Sequence, residues 1–212
     1  MGISLKDIAE YKNDRDPNNL LGMIETQEKI MDMEMNDLNS RYSILHTRQS
    51  LIRCGMSVDE SKISVTHRTD TAINIWPHNK YNEGDTFLNA LTSLITQVNR
   101  QIYFSFPVGA YFNHMETFLK VPAQPEHFFA LDPRGYKTWK SGEYLTGYVR
   151  GFYAGLSDLP QKMDEYAKLN SVNVTGPIYI IGLLDELCVN DPSLHLWQVS
   201  AAVSSGKPRK KK

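Results

Sequence analysis

Aromatic side chains gather in the second half of this chain, among them Tyr136, Trp139, Tyr144, Tyr148, Phe152, Tyr153, Tyr179 and Trp197. Rings at such density suit the capture of a large apolar body. They offer contact area, stacking and, for a cation, a negative π face. Strand alternation splits them between two faces, so no more than about half can line one groove. Trp139, Tyr144 and Tyr148 share the stretch that should border the groove, with Tyr111 as first-half counterpart, although any single ring serves equally well as core. Glu143, between Gly142 and Tyr144, is the candidate pocket acid. Beside aromatics it would select a cation, whose charge offsets the desolvation of the carboxylate. Asp185 and Glu186 precede a turn and read as a solvated strand end.

Other chemistries lack their residues. His46, His67, His78, His114, His127 and His195 form no pair at metal-ligand spacing, and there is no glycine-rich phosphate loop, no G-x-S-x-G and no thiol beside a base. Met23, Met31, Met33 and Met35 could suggest a soft metal, but two of them fall on a helical seam, where methionine is ordinary filler. No catalytic residue, metal or cofactor is therefore expected. Cys54 and Cys188 are far apart and suit free thiols in a reducing compartment. Hydrophobic residues make up 41% and charged residues 22% of 212, the mix of a folded soluble protein. No apolar run approaches the roughly 18 residues needed to cross a bilayer, so a cytoplasmic protein with no membrane partner is expected. Lys207, Arg209, Lys210, Lys211 and Lys212 are 5 of the 23 basic residues, leaving 18 against 24 acidic ones in the rest of the chain. That mildly acidic body has no general affinity for nucleic acid, and the tail reads as solvated and disordered.

The elements that must position these residues are legible in the periodicity. Residues 1–15 read as a short amphipathic helix, followed by Asp14-Arg15-Asp16-Pro17, with Pro17 suited to open the next helix. From 18 to 53 there is no further proline, and Ile24, Met31, Leu38, Leu45 and Ile52 recur every seven residues. Glu28, Met35, Tyr42 and Gln49 stand four residues after the first four of these. Alternating steps of four and three form a coiled-coil seam with two polar interruptions. A helix on the order of 50 Å needs a partner, so Ile24, Met31, Met35, Leu38, Tyr42, Leu45 and Ile52 are expected at a homodimer interface. Cys54-Gly55 should end it. A strand over 62–76, a helix opening at Asn82-Glu83-Gly84-Asp85, and strands over 106–112 and 127–131 follow. The second half repeats the order: a strand or bent hairpin over 136–150 with bends at Gly142 and Gly147, a helix over 159–169 after Ser157-Asp158, and strands over 178–184 and 196–203 around Asn190-Asp191-Pro192. The fold class is α+β, two β-α-β-β repeats forming one antiparallel sheet with a concave groove at the pseudo-twofold.

Several stretches resemble MerR-type transcription regulators. Gly2-Ile3-Ser4-Leu5 through Tyr11 is similar to the segment after the wing of their DNA-binding head, and Asp14 to Leu21 to the link into their antiparallel dimer helix. Gly176-Pro177-Ile178-Tyr179, Leu183-Leu184-Asp185-Glu186-Leu187, Asn190-Asp191-Pro192 and Gln198-Val199-Ser200 resemble the last two strands of the GyrI-like effector domain. Arg150-Gly151-Phe152-Tyr153 sits where that domain usually has His-Lys-Gly-x-Tyr. The resemblance implies ligand-binding roles for Tyr179 and Gln198. It also implies that Gln198 replaces a glutamate that attracts cationic drugs in many relatives.

The expected organisation is a remnant of the head (1–16), a coiled-coil dimerisation helix (17–55), a GyrI-like effector-binding domain (60–205) and a basic tail (206–212). The function it implies is sensing of a small hydrophobic or amphipathic effector, with promoter DNA a partner only of a form carrying the winged-helix head. Two rivals stand beside it, a stand-alone protein that sequesters toxic compounds and a hydrolase of strained small molecules.

Overall fold

The computed structural model describes residues 4–13, 15–83, 85–98, 107–152 and 155–204. The expectations for Gly2, Ile3, Asp14, Gly84, Phe106, Tyr153 and the basic tail fall outside them. The chain divides into two units, Met1–Leu45 and His46–Lys212, and the division falls within a helix.

The first unit holds helix α1 (Leu5–Asn13) and most of α2 (Pro17–Ser57). Asp16 caps α2: its Oδ2 accepts the backbone N–H of Asn18 at 2.9 Å and of Asn19 at 3.1 Å, and Pro17 occupies the first helical position, where no N–H is needed. The described helices include none long and apolar enough to cross a membrane.

The second unit carries, after the end of α2, β1 (Ser64–Arg68), β2 (Thr71–Ile75), α3 (Phe87–Val98), β3 (Val108–Phe112), α4 (Met115–Phe118) and β4 (His127–Leu131). Then come β5 (Lys137–Trp139), β6 (Gly142–Arg150), α5 (Leu159–Leu169), β7 (Val174–Leu184) and β8 (Leu196–Val203). All eight strands form one antiparallel sheet, in the order β1-β6-β8-β7-β3-β4-β2-β5. Exchanging the halves, β1 with β5, β2 with β6, β3 with β7 and β4 with β8, reads the same order backwards. The two-repeat α+β architecture is thus present, with its pseudo-twofold between β3 and β7, where Tyr111 pairs with Tyr179.

Two expected elements are corrected. The alternation over 62–76 is not one strand: it breaks at Thr69-Asp70 into β1 and β2, which do not pair with each other. The stretch 136–150 likewise divides at Lys140-Ser141 into β5, paired with β2, and β6, paired with β1 and β8. Each half therefore lends its first strand to the other half. Gly142 has φ +151, a conformation that favours glycine at this corner. Gly147 and Gly55 serve close packing instead. A Cβ on Gly147 would lie 2.8 Å from Leu159 Cδ1, and one on Gly55 2.9 Å from Leu184 Cγ, so α2 passes Gly55 and ends at Ser57.

This exchange bends the sheet. β1 and β2 stand six positions apart, about 29 Å in a flat sheet. Three peptide steps from Arg68 to Thr71 span at most about 11 Å. The sheet must curl until its edges meet, and the two connecting corners touch, with the Ser141 N–H donating to Asp70 Oδ1 at 2.6 Å. The convex face packs on α3 and α5 through Phe87, Leu91, Leu159 and Met163, against Phe112, Phe128, Leu145 and Val199.

Tight curvature leaves no room at Gly109 of β3, where a Cβ would lie 2.3 Å from Phe129 Cε1 and 2.7 Å from the Ile180 carbonyl oxygen. Gly109→Ala should cost about 3 kcal/mol, at the upper end for overpacking, because one of the obstacles is backbone. A denaturant midpoint within experimental error of the parent would show that the strands have room there.

Candidate effector site

Curling brings together side chains that the sheet order holds far apart. Trp139 on β5 stacks on Tyr179 of β7, ring centroids 4.1 Å apart and planes 16° from parallel, although four strand positions separate them. Tyr179 also meets Tyr111 edge-on at 5.1 Å and Phe129 at 5.4 Å, and Trp139 meets Tyr144 at 6.1 Å. Trp139, Tyr144 and Tyr179 are buried, and Tyr111 and Tyr148 are half-buried at the margin. Five of the rings singled out from the sequence therefore meet on the concave face. Burial raises the hydroxyl pKa of Tyr111, Tyr144, Tyr148 and Tyr179 above the ordinary phenol value, so these groups stay protonated donors.

Gln198 lies on the same face of β8 as Leu196, Ser200 and Ala202, half-buried, opposite Tyr148 on one side and Ile181 on the other. Its Nε2 donates to Ser200 Oγ at 2.9 Å. Glu143 is not part of this assembly. Alternation turns it outward from Tyr144, and its carboxylate takes His67 Nδ1 at 2.9 Å on the exposed face. Trp197 faces the helices, its Nε1 donating to the Gly151 carbonyl at 2.7 Å, while Tyr136 and Phe152 are exposed.

Asp185, read from sequence as a solvated strand end, is 1% exposed. Arg48 of α2 grips it with two donors, Nη1 to Oδ2 at 2.6 Å and Nη2 to Oδ1, and Arg48 Nη2 also reaches Cys188 Sγ at 3.3 Å. Burial works against the charge on Arg48, but Asp185 more than offsets it and the guanidinium is held more firmly protonated than usual. This pair locks the last turns of α2 to the end of β7. Leu51 and Cys54 of α2, with Val58 just after it, then pack on the hydrophobic cluster that includes these rings.

The residue that sequence reading passed over is Arg68. It ends β1, and its Cζ sits 3.5 Å from the centroid of the Trp139 ring, the two sealing the seam where the sheet edges meet. An arginine in a polar run such as Thr66-His67-Arg68-Thr69-Asp70 carries no signal until the strand is known to break there. A depression of about 810 Å³ lies elsewhere, lined by residues such as His78, Asn79, Lys80, Asp85 and Asn89. Several of its polar groups are already bonded within the protein, Asn82 N–H to Asp85 Oδ2 at 2.7 Å and Asn79 Nδ2 to the Pro125 carbonyl at 2.9 Å.

The domain is a curled sheet of two exchanged repeats, with aromatics on the concave face and the end of a long helix packed on it. No family model matches the chain. It is 21% identical over 202 residues to the Multidrug-efflux transporter 2 regulator of Bacillus subtilis (strain 168), covering 90% of this chain and 71% of that protein. In structure it is similar to EcmrR in its complex with DNA, with a TM-score of 0.52, 11% identity and coverage of 97% of this chain and 79% of that one. It is also similar to the EcmrR C-terminal domain, with a TM-score of 0.50, 8% identity and coverage of 68% and 98%. These likenesses bear out the resemblance to MerR-type regulators with a GyrI-like effector domain.

Arg68 also yields a stability test, since a half-buried cation without a carboxylate partner is a cost that the cation–π contact only partly offsets. Arg68→Met should leave stability unchanged or raise it by up to about 2 kcal/mol. A fall of several kcal/mol in guanidinium unfolding would show that the charge has an acceptor.

Proposed function

We propose that this chain is the effector-binding and dimerising portion of a MerR-family transcriptional regulator. A small hydrophobic or amphipathic molecule binds the concave aromatic face, and α2 relays its presence to DNA-binding heads in a form that carries them. The observation that carries this reading is the shared packing of Leu51 and Cys54. The helix that would join two chains packs on the same hydrophobic cluster that contains the rings that would hold the effector. A ligand that displaces or reorders those rings must change the seat of α2, and only a ligand with different affinity for two helix arrangements can switch anything. A flat ligand ring would take the place of Trp139 against Tyr179, because one stack can be exchanged for another at little cost.

Pairing of two chains is supported by the surface of α2 in the first unit. Ile24, Met31, Met35, Leu38, Tyr42 and Leu45 are 38% to 70% exposed in the single chain, an apolar stripe that water would penalise. Ile52, the last of the series, is half-buried. Binding is preferred to hydrolysis because the concave face offers rings and hydroxyls, while the carboxylate expected there, Glu143, is on the outside. The sequestering alternative lacks a use for an exposed heptad stripe.

Two outcomes test this function. Leu38→Asp, at the middle of the stripe, should convert a dimer to a monomer by light scattering, and an unchanged mass would remove α2 from the interface. A thermal-shift screen of drug-sized aromatic compounds should find a binder that quenches tryptophan fluorescence. Trp139→Phe should remove most of the quench and little of the affinity, because a ring is kept. Quenching that persists in Trp139→Phe would place the ligand elsewhere.

A further inference from the structure

The concave face carries one cation, Arg68, among neutral hydroxyls and an amide. Arg68 donates from Nη2 to Thr71 Oγ1 at 3.3 Å, its Nε is buried with no acceptor, and no carboxylate pairs with it among the described residues. The carboxylates around the cluster are each committed elsewhere. Asp70 accepts the Ser141 N–H at 2.6 Å, Glu126 accepts the Asn113 N–H at 2.8 Å, Asp185 is gripped by Arg48, and Glu143 faces the opposite side of the sheet with His67. The second unit's remaining positions, 84, 99–106, 153–154 and 205–212, contain no aspartate or glutamate in the sequence. Gln198, where the resemblance leads one to expect an acid, is neutral.

A guanidinium keeps its proton even when burial opposes the charge, as it does here, so it does not escape the cost by neutralising. Unpaired, it lowers the stability of the domain. Matched by an anion in the half-dry concave face, the same charge gives a stronger attraction than it would in water, and its Nε–H still lacks an acceptor. A cationic ligand would meet repulsion from Arg68, and the carboxylates nearest the rings, Asp70 and Glu126, already accept backbone N–H groups at 2.6 and 2.8 Å.

Building on the effector-site reading above, we infer that the effector class of this domain is an anion carried on an apolar aromatic body, with the rings of Trp139, Tyr144 and Tyr179 taking the body and Arg68 the charge.

The test uses two ions of nearly one shape and opposite charge, tetraphenylborate and tetraphenylphosphonium, titrated into the full chain with calorimetry and tryptophan fluorescence. Tetraphenylborate should bind at least about tenfold more tightly, a factor equivalent to roughly 1.4 kcal/mol. Arg68→Gln and Arg68→Met should each bring the ratio of the two affinities towards one. Arg68→Lys, which keeps the charge, should retain the preference for the borate. Equal or tighter binding of the phosphonium by the parent protein, or a ratio unmoved by Arg68→Gln and Arg68→Met, overturns the anion assignment and leaves the effector site standing. Binding of neither ion overturns both.

Discussion

Two connections of two residues each, Thr69-Asp70 and Lys140-Ser141, govern the second unit. Each must join strands six positions apart in the sheet order, and neither can do so unless the sheet curls until its edges come together. Curvature is therefore a requirement of chain length and is not left to side-chain preference. From it follow the stacking of Trp139 on Tyr179, the seat of Arg68 over Trp139, and the need for a bare backbone at Gly109. The hydrogen bond from the Ser141 N–H to Asp70 ties the two corners to each other, so the closure is held where it is made.

Curling also separates two kinds of core. The convex face buries aliphatic and phenylalanine side chains against α3 and α5 and is conventional packing. The concave face buries rings that keep polar handles, together with a cation that has no carboxylate partner. A fold that needed only stability would place apolar groups there instead, since an uncompensated charge costs more than a hydrocarbon of the same size.

The connection between site and helix is short. Arg48 clamps α2 to Asp185, and within the next two turns Leu51 and Cys54 pack on the cluster that holds the rings. A buried ion pair gives this junction a defined geometry, because breaking it would leave Asp185 charged and dry. The resulting element has few ways to yield: a change beneath Leu51 and Cys54 is met by movement of the helix end or by loss of the clamp.

Periodicity alone determined much of this. The bounds of β4, α5 and β8, the two-repeat order and the seven-residue apolar spacing of α2 all follow from patterns of 2 and 3.6 that survive any tertiary arrangement, because they reflect which face of an element is buried. Trp139, Tyr144, Tyr148, Tyr111 and Tyr179 were visible as ring-bearing strand positions. Their meeting on one face was not, because contact across four strands depends on curvature, and curvature came from breaks at 69–70 and 140–141 that look like ordinary polar or glycine-flanked strand residues. The same breaks hid Arg68, which gains its role only at the seam. Glu143 illustrates the limit from the other side: its neighbours in sequence were right and its face was wrong, since one residue of register turns a side chain through the sheet. Asp185 looked solvated because its partner, Arg48, lies 137 positions away, and long-range pairing is the one thing a local pattern does not contain.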